Sequence, residues 1–267
     1  MNEALNPSPS LKSTLNLEEL LAVALKAAHV GADIIVGYRK QSTLTFDTKG
    51  DINNFVTEAD LASERAVRDA IRQARPNDTI TGEEYEADDR QGAKVRWSID
   101  PLDGTINYMR RLPFYACSVG AQDITTGEWV VGAVVAPELN TVWYAAKGQG
   151  SFVERDGQTT KLTGPPADRK SRIMATGFSY SPDIRPSQLA EVTKLMVGFQ
   201  DLRRNGAAAI DMCHVAEGVL DAYFERDIKE YDWAAAALIA EEAGVPVIRP
   251  NVVGDATVVG VVEGFTA

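Results

Sequence analysis

The feature that most limits the fold of this chain is a change of hydrophobic period near Thr79. Before it, Leu17, Leu20, Leu21, Ala24, Ala28 and Gly31 recur at helical spacing through about Tyr38. Asn16 is placed to cap that helix, and Glu18 and Glu19 fall in its first turn. A second helical stripe (Leu61, Val67, Ala70, Ile71) spans roughly 59–75, with Glu58 and Asp60 at its start. From Thr79 onward the pattern is that of strands, at 79–81, 95–99, 115–122, 129–136 and 141–146. Short turns at Thr126-Gly127 and 137–140 separate the last three, which predicts an antiparallel meander. The polar stretch 158–170 reads as a loop between two halves. Beyond it come a strand near 172–176, helices near 186–199 and 207–217, a strand at 220–225, a helix at 232–243 and short strands at 245–248 and 256–262. The expected class is α+β, with N-terminal helices on a mainly antiparallel sheet followed by an α/β half. One domain is expected over 16–267, with sub-halves of roughly 16–157 and 171–267, after a Pro- and Ser-containing mobile arm at 1–15.

Charge and cysteine content narrow the function. A formal net charge of -11 argues against a nucleic-acid binder, which needs a basic surface. It leaves anionic substrates open, because bound cations reverse the local field. The two cysteines, Cys117 and Cys213, sit in apolar stretches and suit buried thiols in a reducing compartment. No signal-peptide pattern is expected at the N-terminus, and no apolar run is expected to approach the ~20 residues of a membrane span. A cytoplasmic protein is expected.

The run 97–107, WSIDPLDGTIN, begins as an apolar strand and is expected to turn through Pro101 and Gly104 with Asp100 and Asp103 on the bend and Thr105 closing it. Alone, such a segment is most often a tight turn. It is also a good cradle for a hard divalent cation, since two carboxylates, a carbonyl and a hydroxyl are the oxygen donors that Mg²⁺ prefers. Other carboxylates stand where elements end: the glutamates of Gly82–Glu84, Asp60, Glu225 and Asp232. Singly, each is more often a cap or a solvated charge. Their joint appearance at strand ends and helix starts, where α/β folds gather ligands, favours a site. His29 lies along the first helix and reads as a packing or surface residue.

Several segments resemble the inositol monophosphatase family. WSIDPLDGTIN is similar to its signature, and NFVTEAD (54–60), GEE (82–84), RRNGAAAIDMC (203–213), AYFE (222–225) and YDWAAAALIAEEAG (231–244) follow in the family's order. The resemblance implies a layered αβαβα sandwich and a Mg²⁺-dependent phosphomonoesterase with two or three ions. It implies that Glu83, Asp100 and the Leu102 carbonyl hold one ion. Asp100, Asp103 and Asp232 hold a second, and a third shares Glu83. Thr105 and Asp60 bond to each other and orient the attacking water. The Gly104 and Thr105 amides meet the phosphate, Asp103, Gly206, Ala208 and Glu225 contact the leaving group, and Lys49 lies near the metals.

The implied reaction is in-line attack of a metal-activated water, with no phosphoenzyme. Haloacid dehalogenase phosphatases also place an acidic D-G-T at a strand end, but they use a D-x-D spacing with the first Asp as nucleophile. D-P-L-D does not fit that pattern. Two departures from the family are Tyr231, where many members carry Trp, and Asn54, where an acidic residue is common. Inositol-1-phosphate is the expected substrate, with histidinol phosphate as runner-up and fructose 1,6-bisphosphate or adenosine 3′,5′-bisphosphate as further alternatives. A regulatory role as a partner of the transcription machinery is the reading from another class. The resemblance also implies a homodimer, to which the meander around Trp129–Tyr144 could contribute, although its aromatic residues fit a core better.

Overall fold

The computed structural model describes residues 15–40, 46–48, 55–252 and 254–262. The arm expected over 1–15 lies, except for Leu15, outside these residues, as do Lys49 and Asn54. In chain order the elements are α1 (Leu17–Arg39), β1 (Phe46–Thr48), β2 (Phe55–Thr57), α2 (Glu58–Ala74), β3 (Thr79–Gly82), β4 (Val95–Asp103), α3 (Thr105–Met109), β5 (Ala116–Asp123), β6 (Trp129–Ala136), β7 (Thr141–Ala146) and β8 (Gly150–Arg155). There follow β9 (Gln158–Lys161), β10 (Ile173–Thr176), α4 (Arg185–Leu195), β11 (Asp201–Arg203), α5 (Ala208–Ala216), β12 (Ala222–Arg226), α6 (Glu230–Glu242), β13 (Val247–Ile248) and β14 (Ala256–Gly260).

Strands β3 to β9 form a seven-stranded sheet in sequence order, and a second sheet runs β11-β10-β12-β14-β13. The strand alternation of β6 decides how the layers stack. Val131, Ala133 and Val135 join Leu20, Ala24 and Ala28 of α1 and Val67 and Ile71 of α2 in one core. Val134 and Ala136 face the other way, into a core shared with α5, α6 and Tyr223 and Val259 of the second sheet. Val192 and Leu195 of α4 cover the outer face of that sheet against Met174 and Phe224. The result is an αβαβα sandwich, as expected.

One close approach fixes where α6 sits. A Cβ at Gly132 would lie 2.7 Å from the Ala235 carbonyl oxygen. The bare strand and the Ala234–Ala237 run let helix and sheet meet nearly backbone to backbone, and this seats the start of α6 beside the end of β4. Trp129 and Trp143 of the meander are buried in the core, and His29 is exposed on α1.

Three expectations are corrected. The DPLD segment does not turn. β4 stays extended to Asp103, and its pairing with β5 shifts register between Asp100 and Asp103. Pro101 has no N–H for the ladder, and Leu102 N donates instead to Asp100 Oδ1 at 3.0 Å, so one residue bulges. The 158–170 stretch is not all loop, because Gln158–Lys161 pairs with β8 across a turn at Asp156 and Gly157 with φ of 53° and 73°. Finally, α1 is long and apolar enough to cross a membrane by length and mean hydropathy (1.7). Lys26 and Asp33 break its apolar run without lowering the average much, and its apolar face packs on the sheet.

Candidate active site

The acidic residues come together because β3 and β4 are parallel. Gly82 pairs with Ile99, so Glu83 and Asp100 follow side by side at the carboxyl ends of the two strands. The β4 bulge then carries Asp103 to the same place, and Gly104 ends the strand at φ 89°. A Cβ there would meet the Phe114 carbonyl at 2.7 Å, so only glycine fits the bend. α3 starts immediately after it.

Asp103 is held by another helix. Its Oδ1 accepts from Ala208 N at 3.1 Å and its Oδ2 from Ala209 N at 2.8 Å. These are otherwise unpaired amides of the first turn of α5, where a negative charge is favoured. Asp232 stands in the first turn of α6 and accepts from Lys229 N at 2.5 Å. Asp100, Asp103 and Asp232 offer carboxylate oxygens that all lie within 4.8 Å of one another. They border a cleft of about 490 Å³ that Glu83, Leu102, Gly104 and Thr105 also line.

Removal from water and mutual repulsion act together on these groups. Asp100 is held well above the usual carboxylate range, first by burial and then by the charges of Glu83, Asp103 and Asp232. Asp232 is raised likewise, by burial and then by Asp103 and Glu83. Burial pushes Asp103 up to about 7 against the opposing pull of the Ala209 and Ala208 amides. Such a group of carboxylates is complete only with positive charge among it. Its hard oxygen donors fit Mg²⁺, and the Leu102 carbonyl would add a neutral one.

Thr105 and Asp60 meet as expected, with the Thr105 hydroxyl donating to Asp60 Oδ1 at 3.1 Å. Asp60 is fully buried, and its Oδ2 accepts from Thr57 N at 2.8 Å and from the Thr57 hydroxyl. Thr57 was not singled out from the sequence. The T-x-x-D spacing of a capping box was the available signal.

On the far side of the cleft, Gly206, Ala208 and Glu225 are all in the lining, although the Ala208 amide is committed to Asp103. Burial raises Glu225 to about 7, opposed by the Tyr223 hydroxyl that donates to it. Tyr180, Arg204 and Asp211 are among the lining residues that the sequence reading did not single out. Asp211 is buried in α5, accepts from Asn205 Nδ2 at 2.6 Å and is pushed up to about 8, chiefly by burial. A carboxylate inside an apolar helical stripe was its signal. Tyr231 borders the same cleft and is raised by burial and by the charge of Glu83.

An αβαβα sandwich with an acidic, oxygen-rich cleft at its strand ends is the build of a metal-dependent phosphomonoesterase acting on small phosphorylated substrates. The sequence model of the inositol monophosphatase family matches residues 16–262, and the chain belongs to that family. A relative from Haemophilus influenzae named Nus factor SuhB is 35% identical over 230 residues, covering 85% of this chain and 84% of its own. The inositol-1-monophosphatase SuhB of Mycobacterium tuberculosis H37Rv is 40% identical over 200 residues, covering 72% and 68%. The solved structure of Mycobacterium tuberculosis SuhB superimposes with a TM-score of 0.76 at 35% identity, covering 92% of this chain and 91% of that one.

Proposed function

We propose that the protein is a Mg²⁺-dependent phosphomonoesterase that hydrolyses inositol-1-phosphate to inositol and phosphate. The observation that carries this reading is the convergence of Asp100, Asp103 and Asp232 with the Thr105–Asp60 pair in one cleft. Glu83, Asp100, Asp103, Asp232 and the Leu102 carbonyl would hold two or three Mg²⁺ ions. When bound, these supply a nucleophilic water at neutral pH and offset charge on the phosphoryl and leaving oxygens.

The chain's own groups do the rest. Thr105, fixed by Asp60, orients the water, and the Gly104 and Thr105 amides receive the phosphate. Glu225 and the Gly206–Ala208 segment receive the leaving group. Glu225, with Tyr223 behind it, accepts hydrogen bonds from polyol hydroxyls. Water attacks in line, so a new P–O bond forms as the ester P–O bond breaks and no side chain is phosphorylated.

The M. tuberculosis relative's name, inositol-1-monophosphatase, supports the choice of substrate. Histidinol phosphate is the runner-up, since Glu225 would also pair with an amino group. Parallel assays of inositol-1-phosphate, histidinol phosphate, fructose 1,6-bisphosphate and adenosine 3′,5′-bisphosphate with Mg²⁺ decide between them. The highest kcat/KM is expected for the inositol ester, and a preference for histidinol phosphate would overturn that choice.

The Nus factor name of the H. influenzae relative favours a second reading, a binding partner of the transcription machinery. Asp103→Asn separates the two readings. Lost hydrolysis with a wild-type cellular phenotype would favour the binding role. The chain is also proposed to work in the cytoplasm as a homodimer, each protomer one domain over 16–267. A monomeric mass by light scattering would refute the dimer.

A further inference from the structure

The turn that carries Glu83 is not held by β3 alone. Glu64, on α2, is fully buried, and its carboxylate is committed to that turn. Its Oε2 accepts the Glu84 N–H at 2.7 Å, and its Oε1 accepts the Tyr85 N–H at 3.3 Å. Arg68, one helical turn on, donates Nε to the same Oε1 at 2.8 Å and reaches the Tyr85 carbonyl at 3.1 Å. The Tyr85 hydroxyl donates to the Leu61 carbonyl at 3.2 Å and accepts from Arg65 at 3.1 Å. Leu61, Glu64, Arg65 and Arg68 are spaced as one helical face, so a single side of α2 grips the residues after Glu83.

One further observation and one energetic argument set this apart from an ordinary ion pair. A Cβ at Gly82 would lie 2.3 Å from Glu64 Oε1, and its three nearest atoms all belong to the Glu64 carboxylate. The position before Glu83 is therefore bare because Glu64 fills the space. A buried ion pair also adds little stability over apolar packing of the same shape. One placed next to a cleft already crowded with carboxylates is a poor choice for stability, and a good one for holding backbone amides in a fixed place.

We infer that Glu64 is a positioning residue that acts through the Glu84 and Tyr85 backbone to fix Glu83 for the metal. The inference rests on the proposed metal site. Partners that orient a ligand from behind typically change metal affinity about 10–100-fold when removed.

The test is calorimetric titration of Mg²⁺ into the full chain, with Glu64→Gln and, as a control for lost ion pairing far from the cleft, Glu19→Gln. Glu64→Gln keeps the shape but sets amide protons against donors. It is expected to weaken Mg²⁺ binding by about 10-fold or more. The Mg²⁺ concentration for half-maximal hydrolysis rises by the same factor, with the substrate KM at saturating Mg²⁺ unchanged, and Glu19→Gln binds Mg²⁺ as the wild type does. Folded Glu64→Gln that binds Mg²⁺ like the wild type overturns the inference. If that variant does not fold, Gly82→Ala takes its place, because its new methyl group displaces the Glu64 carboxylate. The same loss is expected, and wild-type affinity overturns the inference. A wild-type chain that binds no Mg²⁺ refutes the metal site itself, whereas wild-type binding with an unaffected Glu64→Gln refutes only the clamp.

Discussion

Thr105 and Asp60, 45 positions apart, are joined by a 3.1 Å hydrogen bond in which the threonine hydroxyl donates to Oδ1. The hydroxyl has one proton and a second acceptor within reach, the Leu102 carbonyl at 3.1 Å. Donating to Asp60, Thr105 keeps its lone pairs for a water in the cleft. Asp60 cannot swing away, because Thr57 holds its other oxygen. A threonine hydroxyl is too weak a base to deprotonate water, so in the proposed reaction the pair would set the water's direction.

Thr105→Ala and Asp60→Asn are accordingly expected to lower kcat by about 100-fold or more, the scale of a misplaced reactant. Mg²⁺ affinity changes little. Steady-state kinetics across a Mg²⁺ titration checks both, and near-normal kcat in either variant contradicts the orienting role.

The cluster also fixes the sign of a pH effect. Asp100, Asp103 and Asp232 sit above the usual carboxylate range, Asp103 at about 7, with burial the leading cause in each. A carboxyl group with a raised folded value keeps a proton that the unfolded chain has released. Its contribution to stability is complete below about pH 4 and is lost as pH rises through the folded value. Mg²⁺ needs the deprotonated form and competes with that proton. The gain in Tm on adding Mg²⁺ is expected to be larger near pH 8 than near pH 5, because Asp103, at about 7, has then shed its proton. Thermal melts with Mg²⁺ and with EDTA across this range test it, and a gain independent of pH contradicts it.

Gly132 links the fold to the chemistry through α6. Gly132→Val would push its side chain into the Ala235 backbone and lift the helix that carries Asp232. A loss of about 1–3 kcal/mol is expected from overpacking, accompanied by weaker Mg²⁺ binding. Denaturant melts and a Mg²⁺ titration on the same variant measure both, and lost stability with unchanged Mg²⁺ affinity would break the proposed link.

The elements that were legible in the sequence are those whose period decides them. β6 and β7 fall where the apolar runs between short turns put them, and Asn16 accepts from Glu19 N at 3.3 Å as its capping position predicts. β9 was hidden because QTTK has no apolar face, although Asp156-Gly157 is a hairpin turn. Local pattern also misread DPLD, because the competing choice, an extended bulge, depends on pairing with β5. The acidic residues were legible through their place at element ends and through the family's order of segments. What assembles them is a set of long-range facts that no local spacing encodes: the parallel pairing of β3 and β4, the α5 amides on Asp103 and the flush packing of α6. Glu64 and Arg68 look on paper like a solvated i,i+4 pair. Burial under the Glu83 turn changes that meaning.

If one acidic cleft loaded with Mg²⁺ hydrolyses phosphomonoesters, turnover must need both the ion and the carboxylates that hold it. Phosphate release from inositol-1-phosphate by the wild type and Asp103→Asn, each with Mg²⁺ and with EDTA, tests it most directly. Turnover is expected from the wild type with Mg²⁺ only, and none from Asp103→Asn in either condition. Turnover that survives EDTA, or that Asp103→Asn retains, would contradict it.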